Sequence, residues 1–215
     1  MTKKVKIDSP RIMEKMPILE ITDAMLEEAY ISMGIVEDCE LSNLTIDKLC
    51  LDKLIFKNVT FVNVTFSNVE ITDVVFEKCN MANVDFSDGI IHRVELKQSK
   101  FTGGNLSGAT LRNIVFDSCL ADMATFGFTN SKQVAFRECS MIKADFYESI
   151  FKNVQFDRCN LDQANVAGTS LNGIDLSSCT FEQLVISFEQ LEGCTVSAEQ
   201  AIGFAKGLGL IIKEG

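Results

Sequence analysis

The 215-residue chain has no tryptophan, a single histidine and only two prolines, Pro10 and Pro17, both near the N-terminus. Everything after Pro17 is therefore free to pair its backbone without losing a ladder donor. One histidine leaves little material for histidine-based catalysis or metal binding. No apolar run reaches the roughly eighteen residues of a membrane span. Residues 1–10 lack the apolar core of a signal peptide, so a cytoplasmic location is expected, with the eight cysteines reduced. Basic side chains are also scarce: 20 Lys and Arg stand against 30 Asp and Glu, a net charge of −10. That balance argues against direct binding of nucleic acid or an anionic membrane, both of which need clustered cations.

What the chain does have is a period of five. Every fifth residue from Val36 is bulky and apolar: Leu41, Ile46, Leu51, Phe56, Phe61, Phe66 and onward to Val196. Only Ala121 and Ser131 depart from the series. This matches neither the 3.6 of a helix nor the 2 of an uninterrupted strand. It matches a strand that turns a corner every five residues. Two positions before each bulky centre sits a smaller residue, as at Val59, Val64, Val74, Cys79, Ala109 and Ala144, which shares the centre's face of a strand. The remaining positions are rich in Asn, Asp, Ser, Thr and Lys, suited to corners and solvent.

The units Ala144 to Glu148, Cys159 to Gln163 and Ile174 to Ser178 follow the order small residue, Asp or Asn, Leu or Phe, then two polar residues. In this the chain resembles the pentapeptide-repeat family over residues 36–196. The resemblance implies an all-β fold, a right-handed quadrilateral β-helix with twenty residues per coil, flanked by an N-terminal cap (1–35) and a C-terminal segment (197–215). Stacking at twenty then places Cys39, Cys79, Cys119, Cys139, Cys159 and Cys179 in one column, with Val59 and Ser99 in the gaps. A straight row of thiols cannot make a tetrahedral metal site, and its spacing suits disulfides poorly, so these read as inert core residues with no cofactor or metal. Phe56, Phe76, Phe116, Phe136 and Phe156 form a second column, and Phe66, Phe86, Phe126 and Phe146 a third. The stretch from Ala121 to Ser131, with Phe128 off the apolar register, reads as a local bend.

Outward charges are unevenly spread among the four sides. One column alternates in sign from Glu37 through Lys57, Glu77, Lys97, Asp117 and Arg137 to Asp157, so neighbouring rungs are expected to pair. A second side balances its charges and presents His92, Arg112, Lys132 and Lys152 in one column. Two adjacent sides are acidic, with Asp85, Asp88, Asp145 and Glu148 on one and Asp122, Asp162 and Glu182 on the other. A catalytic role is not expected: His92 has no Ser or Cys nucleophile beside it, and carboxylates on a convex rod have no recess to shift their pKa.

At the C-terminus the period changes. Ser197 and Gln200 fit a capping box. Ala201, Phe204, Ala205 and Leu208 follow at helical spacing, then Leu210 and Ile212 in an apolar tail. A rod with this ending is similar to the Qnr-type quinolone-resistance proteins of Gram-positive bacteria. The resemblance implies a homodimer through Ala201, Phe204, Ala205, Leu208, Leu210 and Ile212. It also implies an acidic rod that imitates duplex DNA on DNA gyrase or topoisomerase IV and protects the enzyme from quinolones. The other reading left open is a structural repeat module with an unrelated partner, including a toxin-immunity role.

Overall fold

In the computed structural model, which describes residues 5–213, φ is positive at every fifth residue from Asp38 to Gln163. These are the corners. The left-handed conformation is disfavoured for residues with a Cβ but tolerated by Asn and free for Gly, which accounts for Asn43, Asn58, Asn63, Asn68 and Asn83 and for Gly103 and Gly108 in this slot. The elements begin with α1 (Asp23–Glu27), β1 (Tyr30–Glu37) and β2 (Glu40–Thr45). They continue with β3 (Cys50–Lys57), β4 (Thr60–Thr65), β5 (Glu70–Glu77), β6 (Ile90–Lys97), β7 (Thr110–Asp117), β8 (Asn130–Arg137) and β9 (Ile150–Asp157). In β3 the buried residues are Leu51, Leu54 and Phe56, and the corner at Lys53 falls between the first two, so one strand spans two sides of the square.

Seven strands form one parallel sheet in the order β1-β3-β5-β6-β7-β8-β9, and β2 pairs with β4 in a second. Partners are twenty residues apart throughout, as in Val36 with Phe56 and Phe116 with Phe136. Beyond Thr65 the sides begun by β2 and β4 continue as turns joined by single bridges such as Thr65 to Asp85 and Thr125 to Asp145. Small residues permit these turns. The N–H groups of Gly104, Ala109, Ala124 and Ser149 each reach back three residues, to the carbonyls of Phe101, Leu106, Ala121 and Phe146. The equivalent inward positions on the strand-built sides hold Val74, Val94, Ile114, Val134 and Val154, which suit extended backbone.

The core is a pair of aromatic stacks. Phe56 and Phe76 lie 5.0 Å apart, Phe116 and Phe136 4.9 Å, and Phe126 and Phe146 4.8 Å, each pair nearly parallel. The expected bend between Ala121 and Ser131 is absent, because pairing continues through it without a slip. Ala121 and Ser131 are instead volume compensations, the buried Ser131 lying between Phe126 and Phe136, which meet edge to face at 5.5 Å. Phe116 and Phe126 meet edge to face across the same coil at 5.7 Å and leave room only for alanine at position 121, which is fully buried. In the coil before, Leu96 and Leu106 replace those two rings and Phe101 fills the middle; an apolar void of about 20 Å³ remains among them.

The N-terminal region does more than cap the end. Pro17 to Leu19 adds a pairing segment below β1, with Leu19 N–H bonded to the Ile35 carbonyl at 2.7 Å and Ile35 N–H to the Pro17 carbonyl at 2.8 Å. Leu19 fills the inward slot that Gly34 leaves empty; a Cβ on Gly34 would sit 2.1 Å from Leu19 Cγ. Ile21, Met25 and Leu26 pack over the rest of the opening. Residues 6–11, however, run up the outside of the rod as a strap. Its contacts are Lys6 C=O with Gln133 Nε2, Asp8 N–H with Asn113 Oδ1 and Arg11 N–H with Asp73 Oδ1. The paired array also starts earlier than residue 36, at Tyr30, where Ile31 already occupies a buried centre.

At the other end, α2 (Ala198–Gly207) starts at the expected capping box, with Ser197 Oγ accepting from Gln200 N–H and Gln200 Oε1 accepting from Ser197 N–H. Gln200 Nε2 also donates to the carbonyls of Leu176 and Cys179, tying the helix to the last coil. No described helix is long and apolar enough to cross a membrane.

Candidate functional site: two acidic sides of the rod

The seven carboxylates expected on the acidic sides divide into two groups. Asp85 and Asp145 are half-buried and each accepts the backbone N–H two residues on, from Ser87 and Tyr147. Each also accepts from an asparagine one rung away, Asn105 or Asn165. The Asp or Asn of the repeat unit is thus the residue that closes the turn. Asp122 and Asp162 reach along the axis instead, to Ile142 N–H and to the N–H groups of Glu182 and Gln183. The Gln163 amide and those backbone donors hold the Asp162 carboxyl below the usual aspartate value. Asp88, Glu148 and Glu182 are exposed. Of the five ion pairs among the described residues, none involves these seven side chains.

The other two sides hold all five pairs, in an arrangement different from the one expected. The alternating column is in register, Glu77 beside Lys97 and Lys97 beside Asp117, yet no ion pair joins two of its members. Lys97 bonds Glu95 on its own strand, and Arg158 bonds Glu138 and Asp157. Side chains 4.8 Å apart on a sheet point outward in parallel, so a diagonal or same-strand partner is reached as readily as a stacked one. The balanced side carries His92, Arg112, Lys132 and Lys152 in register, as expected. The strap lies beside this column. Beneath it, Asp73 and Arg93 form a buried pair, and burial together with the Arg93 charge lowers the pKa of His92.

The cysteine column is present. Cys79, Cys119, Cys139, Cys159 and Cys179 are buried, Cys39 is exposed, and every cysteine is a free thiol. Cys79 and Cys119 donate to carbonyls of the preceding coil, and Ser99 does the same within the gap. Burial pushes the Cys79 thiol up to about 11. Among the described residues no group of His, Cys, Asp and Glu could hold a metal.

Of the residues expected at a dimer contact, Phe204 and Ala205 are half-buried, while Ala201, Leu208, Leu210 and Ile212 are exposed. Phe204 rests on Phe181 at 5.7 Å, but α2 leaves an open groove of about 910 Å³ against the last coil.

One feature of the acidic sides has no counterpart among the expected residues. Leu120, Met123, Phe128 and Tyr147 are exposed there. Phe128 and Met123 occupy corner positions that elsewhere hold mostly polar residues or glycine. A bulky apolar residue in that slot was the available sign.

A parallel solenoid of square section, cornered every five residues, defines the class of repeat rods built from five-residue units. This chain belongs to the pentapeptide-repeat family: residues 89–166 match the family described as pentapeptide repeat region and residues 159–196 the one described as pentapeptide repeats (8 copies). It is 41% identical over 209 residues to the uncharacterized protein YisX of Bacillus subtilis (strain 168), covering 97% of this chain and 99% of that one. Among solved structures it is similar to QnrB1, a plasmid-mediated fluoroquinolone resistance protein, at 19% identity and a TM-score of 0.42, covering 82% of this chain and 100% of that one. It is also similar to HetL, a pentapeptide repeat protein involved in heterocyst differentiation regulation from Nostoc sp. strain PCC 7120. There the identity is 15% and the TM-score 0.47, over 76% of this chain and 83% of that one.

Proposed function

We propose that this protein binds DNA gyrase or topoisomerase IV in place of duplex DNA and protects the enzyme from quinolones. The observation that carries the reading is the division of charge. All five ion pairs among the described residues lie on two sides, while Asp85, Asp88, Asp122, Asp145, Glu148, Asp162 and Glu182 on the other two enter none. Carboxylates free of ion pairs and set at the spacing of the repeat form a field that a DNA-binding groove rich in Lys and Arg would accept. The resemblance of the repeat units and of the C-terminal segment to Qnr-type proteins supports the same partner.

Charge density alone does not equal that of DNA. Duplex DNA carries a charge about every 1.7 Å of axis, whereas the seven carboxylates from Asp85 to Glu182 spread over about five rungs of about 4.8 Å, roughly one charge per 3.4 Å. The straight rod must therefore supply complementarity by shape as well. Dimerisation through the exposed Leu208, Leu210 and Ile212 and the groove beside Phe204 would double its length.

A supercoiling assay with purified gyrase and ciprofloxacin tests the proposal. The protein should inhibit supercoiling or relieve drug inhibition, and added salt should weaken either effect. Absence of both effects at a large excess of protein leaves the structural-module reading.

A further inference from the structure

On the corner between an acidic side and the balanced side, Phe128 and Tyr147 meet edge to face, with ring centroids 5.5 Å apart and an interplanar angle of 85°. Phe128 is 59% exposed and Tyr147 38%, so the two rings wall an open notch rather than a core. Carboxylates stand on both sides of it along the axis. Phe128 shares its corner column with Asp88, Gly108 and Glu148. A Cβ on Gly108 would lie 2.3 Å from Asp88 Oδ1, so the missing side chain lets the Asp88 carboxylate lean over that rung toward Phe128. On the other side, the exposed Glu148 stands one rung beyond Phe128 in that column and next to Tyr147 in sequence.

Stability does not account for these rings. An exposed phenylalanine gains little from burial, and φ is +59° at Phe128, where Asn68 and Gly108 of the same column fit more easily. Two aromatic faces at right angles, bordered by acids, match one chemical group well. A guanidinium can lie against a ring face while its N–H groups meet a carboxylate.

We propose that the Phe128–Tyr147 notch, bordered by Asp88 and Glu148, receives an arginine side chain of a basic protein partner and sets that partner's position along the rod. The inference rests on reading the acidic sides as a protein-binding surface. Aromatic side chains and arginine are the residues most enriched at binding hot spots, and the diffuse acidic field by itself does not fix a register.

Tyr147 reports on the notch directly. The chain has two tyrosines and no tryptophan, and Tyr30→Phe at a half-exposed position leaves Tyr147 as the sole source of tyrosine emission. Titration of that variant with an octa-arginine peptide should change its emission saturably. Adding Phe128→Asn should weaken the affinity about fivefold to tenfold, and Glu148→Gln should also weaken it. Phe128→Asn should keep the melting temperature, since asparagine already serves at corner position 68. No saturable response, or equal affinity within twofold for Phe128→Asn, would overturn the proposal. The second arm uses gyrase holoenzyme: Phe128→Asn should raise the concentration needed to inhibit supercoiling by a similar factor. Equal inhibition by both forms also sinks the notch while leaving the gyrase reading intact. If the wild-type protein leaves gyrase untouched, the gyrase reading falls and the peptide titration still decides the notch.

Discussion

Arg93 lies one rung above Asp73 and grips its carboxylate with two nitrogens, Nε on Oδ1 and Nη2 on Oδ2 at 2.8 Å, with the aspartate side chain only 4% exposed. The same carboxylate accepts Arg11 N–H from the strap. A residue in the first dozen is thereby fastened to the middle of the rod. Removing one member of such a pair strands a buried charge, so Arg93→Ala should lower unfolding free energy by about 3–5 kcal/mol in urea titration. Truncation before Pro17 should cost less, about 1–3 kcal/mol, with the β-sheet circular dichroism retained.

The pair also sets a dependence on pH. Burial by itself would raise the Asp73 pKa, but the Arg93 and Arg11 hydrogen bonds outweigh it and hold the carboxyl below its ordinary 3.8. A carboxyl whose pKa is lower folded than unfolded contributes its stability above the ordinary value. That contribution is lost as pH falls below 3.8 and through the folded value. Asp73→Asn should therefore be less stable at neutral pH and show a flatter decline below pH 3.8 than the wild type, measured by thermal melts across the acid range.

Restoring the repeat at its exception should do harm. Ala121→Leu returns the period of five, yet Phe116, Phe126 and Phe101 already occupy the space around position 121. Overpacking of this kind costs about 1–3 kcal/mol, to be read from the urea midpoint. A gain in stability would show that local repeat preference outweighs volume.

Thiol chemistry should follow burial. Ellman's reagent should label Cys39 quickly in the folded protein, and Cys79, Cys119, Cys139, Cys159 and Cys179 only on unfolding. Rapid reaction of any buried member would mean that its coil opens locally.

For the proposed dimer, Phe204→Asp places a charge against Phe181 at the mouth of the groove. Sedimentation should show a monomer for this variant and a dimer for the wild type. An unchanged dimer would move the interface elsewhere.

The five-residue period by itself determined the inward positions and the corners, each a local preference repeated at fixed spacing that stacking multiplies. The twenty-residue coil came from the family resemblance, and the helix start at Ser197 from its capping box. Even the choice between strand-built and turn-closed sides was present in the alternation of valine with Gly, Ala, Ser and Thr, though it became readable only against the paired rungs. Three features were decided by tertiary structure alone. The strap joins residues 62 to 127 apart in sequence and has no period to announce it. Ion pairs formed between near neighbours in sequence, as at Lys97 and Glu95, or between rungs at the corners, as at Arg93 and Asp73, rather than along the alternating column, because flexible ends choose partners by reach. The exceptions at Ala121 and Ser131 became intelligible only when facing rings were seen to share one coil. Sequence lists the columns separately, and packing is a property of their sum.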